Sequence, residues 1–235
     1  MEQNDFLVFP SSRKKKNTSC THYRERIASF CYPEILKGIE RVGSYNMPVI
    51  QANYSIPTIS ETTPFDRIAA KNSNHESLVI FFVNDSRFVH RLSHPWDYTE
   101  KLRLFEGVIG PDLSQYINMD YPRRLYNCYC NKVFTAFWQR NDVNMYPNVT
   151  WSLPDSYEYS VAGYPRKSVI AINSMGVRKD NISIALWLDG YHYMVKALDP
   201  ICILRYGPKI FGEDEGRSIY LSNTQLNILR NGSKR

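Results

Sequence analysis

Nowhere does the chain hold the roughly 18–20 consecutive apolar residues that a membrane-crossing helix needs, so no membrane partner is expected. It lacks a Walker motif, a GxGxxG fingerprint and a nucleophile elbow, which removes the usual signatures of nucleotide-cradling loops and of hydrolase serines. No repeat of fixed period is visible, and solenoids and propellers go with it. Cysteine is sparse: Cys20, Cys31, Cys128, Cys130 and Cys202 are odd in number and irregularly spaced, which fits no disulfide framework. Cys128-Tyr-Cys130 lacks the two-residue spacer of zinc and redox pairs, and no histidine lies near enough to complete a metal pattern. The thiols therefore read as buried and free; no metal is expected, and the sequence specifies no cofactor. The opening Met1-Glu-Gln-Asn-Asp5-Phe-Leu-Val-Phe9 places acid ahead of a very short apolar run, the wrong order for a secretory signal. A cytoplasmic protein is expected, in which the Asn-X-Ser/Thr triplets at Asn17, Asn53, Asn148 and Asn181 carry no meaning.

Aromatic residues and positive charge are what the chain has in quantity. Seventeen Tyr, 11 Phe and 4 Trp, within a composition 43% hydrophobic over 235 residues, imply a substantial core with large packed faces and polar rims. The net charge of +6 is compatible with a nucleic-acid partner. Its sharpest concentration is Arg13-Lys14-Lys15-Lys16, a run that reads either as a solvated tail or as a phosphate-binding arm. Residues 1–20 are accordingly expected to be a basic flexible arm, residues 21–225 a single α/β domain, and residues 226–235 a basic tail.

Two apolar runs organise the domain. Leu78-Val-Ile-Phe-Phe-Val83 and Gly107-Val-Ile-Gly110 each read as a strand buried on both faces, the mark of parallel sheet, and each is soon followed by an aspartate. Around them the pattern predicts strands over 144–150, 168–173 and 201–205, and helices over about 95–104, 122–140 and 182–198. A further helix is expected from Arg24 to Arg41, started or interrupted at Pro33 and closed by Gly43, and 47–50 and 217–221 are candidate extra strands. The segment from Ser152 to Lys167 reads as loop or a small insertion. Strands alternating with helices mean βαβ crossovers in a mainly parallel sheet. Both an incomplete or distorted (β/α) barrel and an open doubly wound sheet fit; the barrel is favoured because polar residues close nearly every strand.

Ligands of α/β folds bind beyond the carboxyl ends of the strands, which selects the candidate residues. Asp85 and Asp112 are the candidate catalytic pair, as acid, base or nucleophile, although an Asp after a strand also commonly caps a turn. Asn84, Ser114, Asn173 and Ser174 offer neutral hydrogen bonds, and Trp151 and Tyr206 offer faces on which a base or sugar stacks. Ser174-Met-Gly176-Val-Arg178-Lys179 has the character of a turn that holds phosphate, with Gly176 freeing backbone amides beside Arg178 and Lys179. His90 and His94 are four apart, but Pro95 starts the helix after them, so a shared face is not expected.

The succession Phe81-Phe-Val-Asn-Asp85-Ser-Arg-Phe88, Gly107-Val-Ile-Gly-Pro-Asp112-Leu-Ser114, Tyr126-Asn127, Phe137-Trp138-Gln139, Pro147-Asn-Val-Thr-Trp151-Ser152, Ile172-Asn-Ser174-Met-Gly176 and Leu204-Arg-Tyr-Gly207 resembles the family known as domain of unknown function 4417, over about residues 45–221. The resemblance implies an origin in phages, plasmids or bacterial genomes and a shared α/β domain, and it implies no reaction. Two function classes follow. One is an enzyme processing a nucleotide or nucleic acid with the paired aspartates; the other is a non-catalytic module that binds nucleic acid or a host protein in replication or counter-defence.

Overall fold

The computed structural model describes residues 33–213 and 216–222. The arm with Arg13, Lys14, Lys15 and Lys16, and the tail over 226–235, lie outside the described residues.

The first elements are small. Helix α1 is Pro33–Leu36, followed by the hairpin β1 (Arg41–Val42) and β2 (Met47–Pro48). The expected helix to Arg41 therefore stops early, because Gly38 takes a left-handed φ of 70° and Ile39 N bonds back to Leu36 O at 3.1 Å. Gly43 turns the hairpin instead of ending a helix.

The sheet strands are β3 (Thr62–Pro64), β4 (Leu78–Ile80), β5 (Gly107–Ile109), β6 (Met145–Tyr146), β7 (Val169–Asn173), β8 (Cys202–Tyr206) and β9 (Ser218–Tyr220). Between them lie α2 (Trp96–Leu102), α3 (Tyr121–Arg140), α4 (Tyr157–Val161) and α5 (Asn181–Leu198). The helix α4 lies within the stretch the sequence read as loop or insertion, where Arg124 of α3 grips Asp155 through two bonds of 2.7 and 2.8 Å. Every pairing from β3 to β9 is parallel, in the order β3-β4-β5-β6 and β7-β8-β9. A parallel bridge between Asn148 and Ala171 joins the two groups, with Ala171 N to Pro147 O at 2.7 Å and Val149 N to Ala171 O at 2.9 Å. The strands thus follow one another in sequence order with no reversal, which a doubly wound sheet would require.

The sheet is not closed into a barrel. Among the described residues no ladder joins β9 to β3; the gap is spanned by Ser222 N to Ser60 O at 2.8 Å and Thr62 Oγ1 to Ser222 O at 2.8 Å. The continuous apolar runs are explained by their two faces. Leu78, Ile80 and Phe82 point to a central cluster that also takes Ile109, Tyr146, Ala171, Leu204 and Tyr206, while Val79 and Phe81 join Val108, Phe134 and Trp138 beneath α2 and α3. Ile170, Ile172 and Ile203 pack instead under α5 with Trp187, Tyr191 and Met194. Alternate residues of one strand are thus buried in different layers, and no polar face is needed. Cys128, Cys130 and Cys202 are buried thiols. No described helix is long and apolar enough to cross a membrane.

Candidate functional site

Asp112 is positioned by its strand and by the long helix behind it. The chain leaves β5 through Gly110 and Pro111, and a Cβ on Gly110 would stand 2.6 Å from Thr135 Oγ1, so only glycine lets the strand end approach α3 this closely. Two asparagines one turn apart on α3 then hold the next residues. Asn131 accepts from Leu113 N at 2.8 Å and donates to Leu113 O at 3.3 Å, while Asn127 donates to Ser114 O at 2.6 Å. The loop carrying Asp112 is therefore bonded to a buried helix instead of being left to solvent.

Asp112 Oδ2 accepts from Asn173 Nδ2 at 3.1 Å, and Oδ1 accepts from Asn148 Nδ2 at 3.4 Å, so residues closing three strands meet at one carboxylate. Asn173 is fixed in turn, since its Oδ1 accepts from Met175 N at 2.8 Å and its carbonyl from Trp187 Nε1 at 3.1 Å. Burial pushes the Asp112 carboxyl up to about 6; the bonds from Asn173 and Asn148 oppose the rise and the negative charge of Asp85 adds to it. Asp112 therefore changes charge near pH 6, well above the usual carboxylate range.

The carboxylate opens on a cleft of about 870 Å3 at the carboxyl ends of the strands, within the range of small-molecule sites. Asn84, Ser114, Trp151, Asn173, Lys179 and Tyr206, all selected from the sequence, line it together with Asp112. The walls are aromatic. Tyr206 stacks on Phe82 with centroids 4.9 Å apart, and Trp151 lies 5.4 Å from Trp187 with its Nε1 donating to Trp187 O at 3.1 Å. Trp151 reaches that position only because residue 190 is glycine: a Cβ there would fall 2.2 Å from Trp151 Cδ1. Gln115 joins the loops after β5 and β6 through Nε2 to Thr150 Oγ1 at 2.6 Å.

Three of the residues singled out in the sequence face elsewhere. Asp85 does not line the cleft; it accepts Ser114 N at 3.1 Å and Ser114 Oγ at 2.9 Å and so braces the Asp112 loop. Ser174 is fully buried, its Oγ donating to Pro208 O at 2.6 Å, and Arg178 Nη2 donates to Lys209 O at 2.5 Å. Gly176 does adopt the left-handed φ of 79° expected of a turn, and of its two cations Lys179 is the one that lines the cleft. The helix after the turn is capped by Asp180, whose side chain accepts Ser183 N at 2.7 Å.

Sequence reasoning missed Trp187, Asn127 and Asn131 as site residues. Trp187 sits within an amphipathic helix and reads there as body, whereas its ring forms the back wall, stacked on Tyr191 with an interplanar angle of 12° and covered by the Arg205 guanidinium at 4.7 Å. The asparagines had one legible signal, a pair of amides spaced four apart on an otherwise apolar helix stripe. His90 falls in the short turn Val89–Arg91 and His94 precedes α2, so they share no helical face.

The family described as Domain of unknown function (DUF4417) matches residues 39–222. The Gene 1 protein of Mycobacterium phage L5 is 26% identical over 192 residues, covering 80% of this chain and 82% of that protein. The Gene 1 protein of Mycobacterium phage D29 is 26% identical over 170 residues, covering 68% of this chain and 63% of that protein. No solved structure matches the chain. With the match running from just before the hairpin to just past β9, and so taking in every strand end of the cleft, the chain belongs to this phage-associated family, the Domain of unknown function (DUF4417).

Proposed function

We propose that the strand-end cleft binds a nucleobase-bearing ligand, a nucleotide or one residue of a nucleic acid, and that Asp112 acts on it as acid or base. The observation that carries this reading is a carboxyl whose pKa burial raises to about 6, in a cleft lined by Trp151, Trp187 and Tyr206. A group whose pKa lies near the working pH is the one best suited to move a proton in a reaction. Aromatic walls take the faces of a planar ring, and the amides of Asn84, Gln115 and Asn173 and the hydroxyl of Ser114 suit its polar edge. Asp85 has both oxygens engaged by Ser114, so its part is to brace the loop and to add negative charge near Asp112.

Native mass spectrometry of the freshly purified protein, followed by calorimetric titration with mononucleotides, tests the reading against Asp112→Asn. A bound nucleobase compound, with turnover abolished in the variant, supports it. Absence of binding by mononucleotides and oligonucleotides alike in the unmodified chain would sink it. One observation favours a purely binding role: among the described cleft residues the carboxylates are Asp112 and Asp180, and Asp180 is engaged in capping a helix, so Asp112 has no partner carboxylate to share the chemistry. In that case the ligand is recovered chemically unchanged.

A further inference from the structure

The cleft mouth continues onto the loops that follow β7 and β8. Met175, on the first, is 43% exposed, and Phe211, on the second, is 95% exposed. Phe211 lies between two tethered neighbours. Ile210 is buried under α5, and the Glu213 carboxylate is held by the buried Arg205 at 2.7 Å and by Ile210 N at 2.6 Å. The ring is therefore held in water by a loop tied down on both sides, against the tendency of an aromatic of that size to bury itself. The bond from Arg178 to the Lys209 carbonyl ties the two loops together, which brings Arg178 and Lys179 beside the loop after β8. The carboxylate of Asp180 nearby is engaged by Ser183 N and Oγ. Met175 and Lys179 line the cleft itself, which links the patch to it, and so does Tyr116, 58% exposed on the loop that carries Asp112.

We infer that the cleft takes one base of a single-stranded polynucleotide, and that the neighbouring nucleotides run across the loops after β7 and β8. This rests on the reading of the cleft as a nucleobase site and adds to it the class of substrate. Phe211 and Tyr116 supply stacking platforms for flanking bases, which tolerate any base because every base has a π face. Arg178 and Lys179 meet the phosphates between them. A free mononucleotide filling the cleft would leave Phe211, which is outside it, with nothing to contact. A base in a duplex would first have to leave its stack to enter.

The test uses the full chain, with fluorescence anisotropy of a labelled single-stranded oligonucleotide about a dozen residues long and calorimetry of mononucleotides in parallel. The oligonucleotide is expected to bind more tightly than any mononucleotide. Phe211→Ala, which leaves charge untouched, should weaken oligonucleotide binding roughly tenfold while mononucleotide affinity stays the same. Arg178→Glu should weaken oligonucleotide binding and flatten its dependence on salt. Equal affinity for oligonucleotide and mononucleotide, or no response to Phe211→Ala, overturns the inference and leaves the cleft reading standing. Failure of both ligands to bind overturns the two together. Sedimentation that shows a dimer of this chain lost on Phe211→Ala would assign the patch to self-association and likewise overturn the inference.

Discussion

At Asp112 burial and hydrogen bonding pull in opposite directions, and burial wins. Water removed from the carboxylate raises its pKa, two amide donors recover part of that loss, and the folded value comes to about 6 against an ordinary 3.8. Between those values the folded chain binds more protons at this group than the unfolded chain does. The stabilisation this gives is fully present below about pH 4 and is lost as pH rises through about 6. At pH 8 the ionised group therefore costs on the order of 2–3 kcal/mol. Asp112→Asn should accordingly match the parent in thermal midpoint at pH 4 and exceed it by a few degrees at pH 8, read by calorimetry at both pH values. A variant destabilised at both would show that the carboxylate serves the fold. The proposed acid–base role adds a second expectation, a binding or rate profile with its midpoint near pH 6 that Asp112→Asn flattens.

At the scale of elements, the site depends on two helices that touch it from behind. Along α3, Asn131 satisfies both backbone groups of Leu113. Asn131→Ala leaves that buried N–H and C=O without a partner and should cost about 2–4 kcal/mol by urea unfolding, with weaker ligand binding because the Asp112 loop loses its brace. Along α5, Gly190→Ala forces a methyl into the Trp151 ring and should cost about 1–3 kcal/mol. Its tryptophan emission should shift as Trp151 leaves its place against Trp187, and unchanged emission would contradict the packing described. Lys132 on α3 belongs to the same scale. Fully buried, it donates to Tyr159 O at 2.6 Å and Ser160 O at 3.0 Å, and so satisfies carbonyls near the end of α4 that the short helix leaves unbonded. Burial holds its ammonium below the ordinary lysine range, and Lys132→Ala should lower the thermal midpoint by leaving those carbonyls bare.

At the scale of the whole molecule, the in-order parallel strands meet at the Asn148–Ala171 bridge and part between β9 and β3, and the buried Arg205–Glu213 pair anchors the loop after β8 behind the Trp187 wall. Glu213→Ala should cost about 3–5 kcal/mol by leaving a guanidinium buried without its partner, and Arg205→Met in the same chain should recover part of that loss. Additive losses in that double-mutant cycle would argue that the two side chains act separately. Much of this architecture was legible beforehand, since Leu78–Ile80 lies inside an apolar run too long for a one-sided strand, Val169–Ile172 and Cys202–Leu204 are apolar throughout, and Asp180 announces α5 as a cap must. Thr62–Pro64 was not legible as a strand, because two hydroxyls and a proline carry no strand pattern and only the parallel ladder to Leu78–Ile80 makes them one. By itself the sequence determined the parallel α/β class and placed Asp112, Asn173 and Tyr206 at strand ends, because periodicity and capping are local properties of the chain, whereas Trp151 lies on the loop after a strand that ends at Tyr146 instead of the expected 150. Only the tertiary structure decided that Asp112 opens on the cleft while Asp85 turns to Ser114, that Lys179 lines it while Arg178 ties down a loop, and that Trp187 closes its wall. Those outcomes depend on which strand end lies beside which, and contacts between residues distant along the chain leave no period in the sequence.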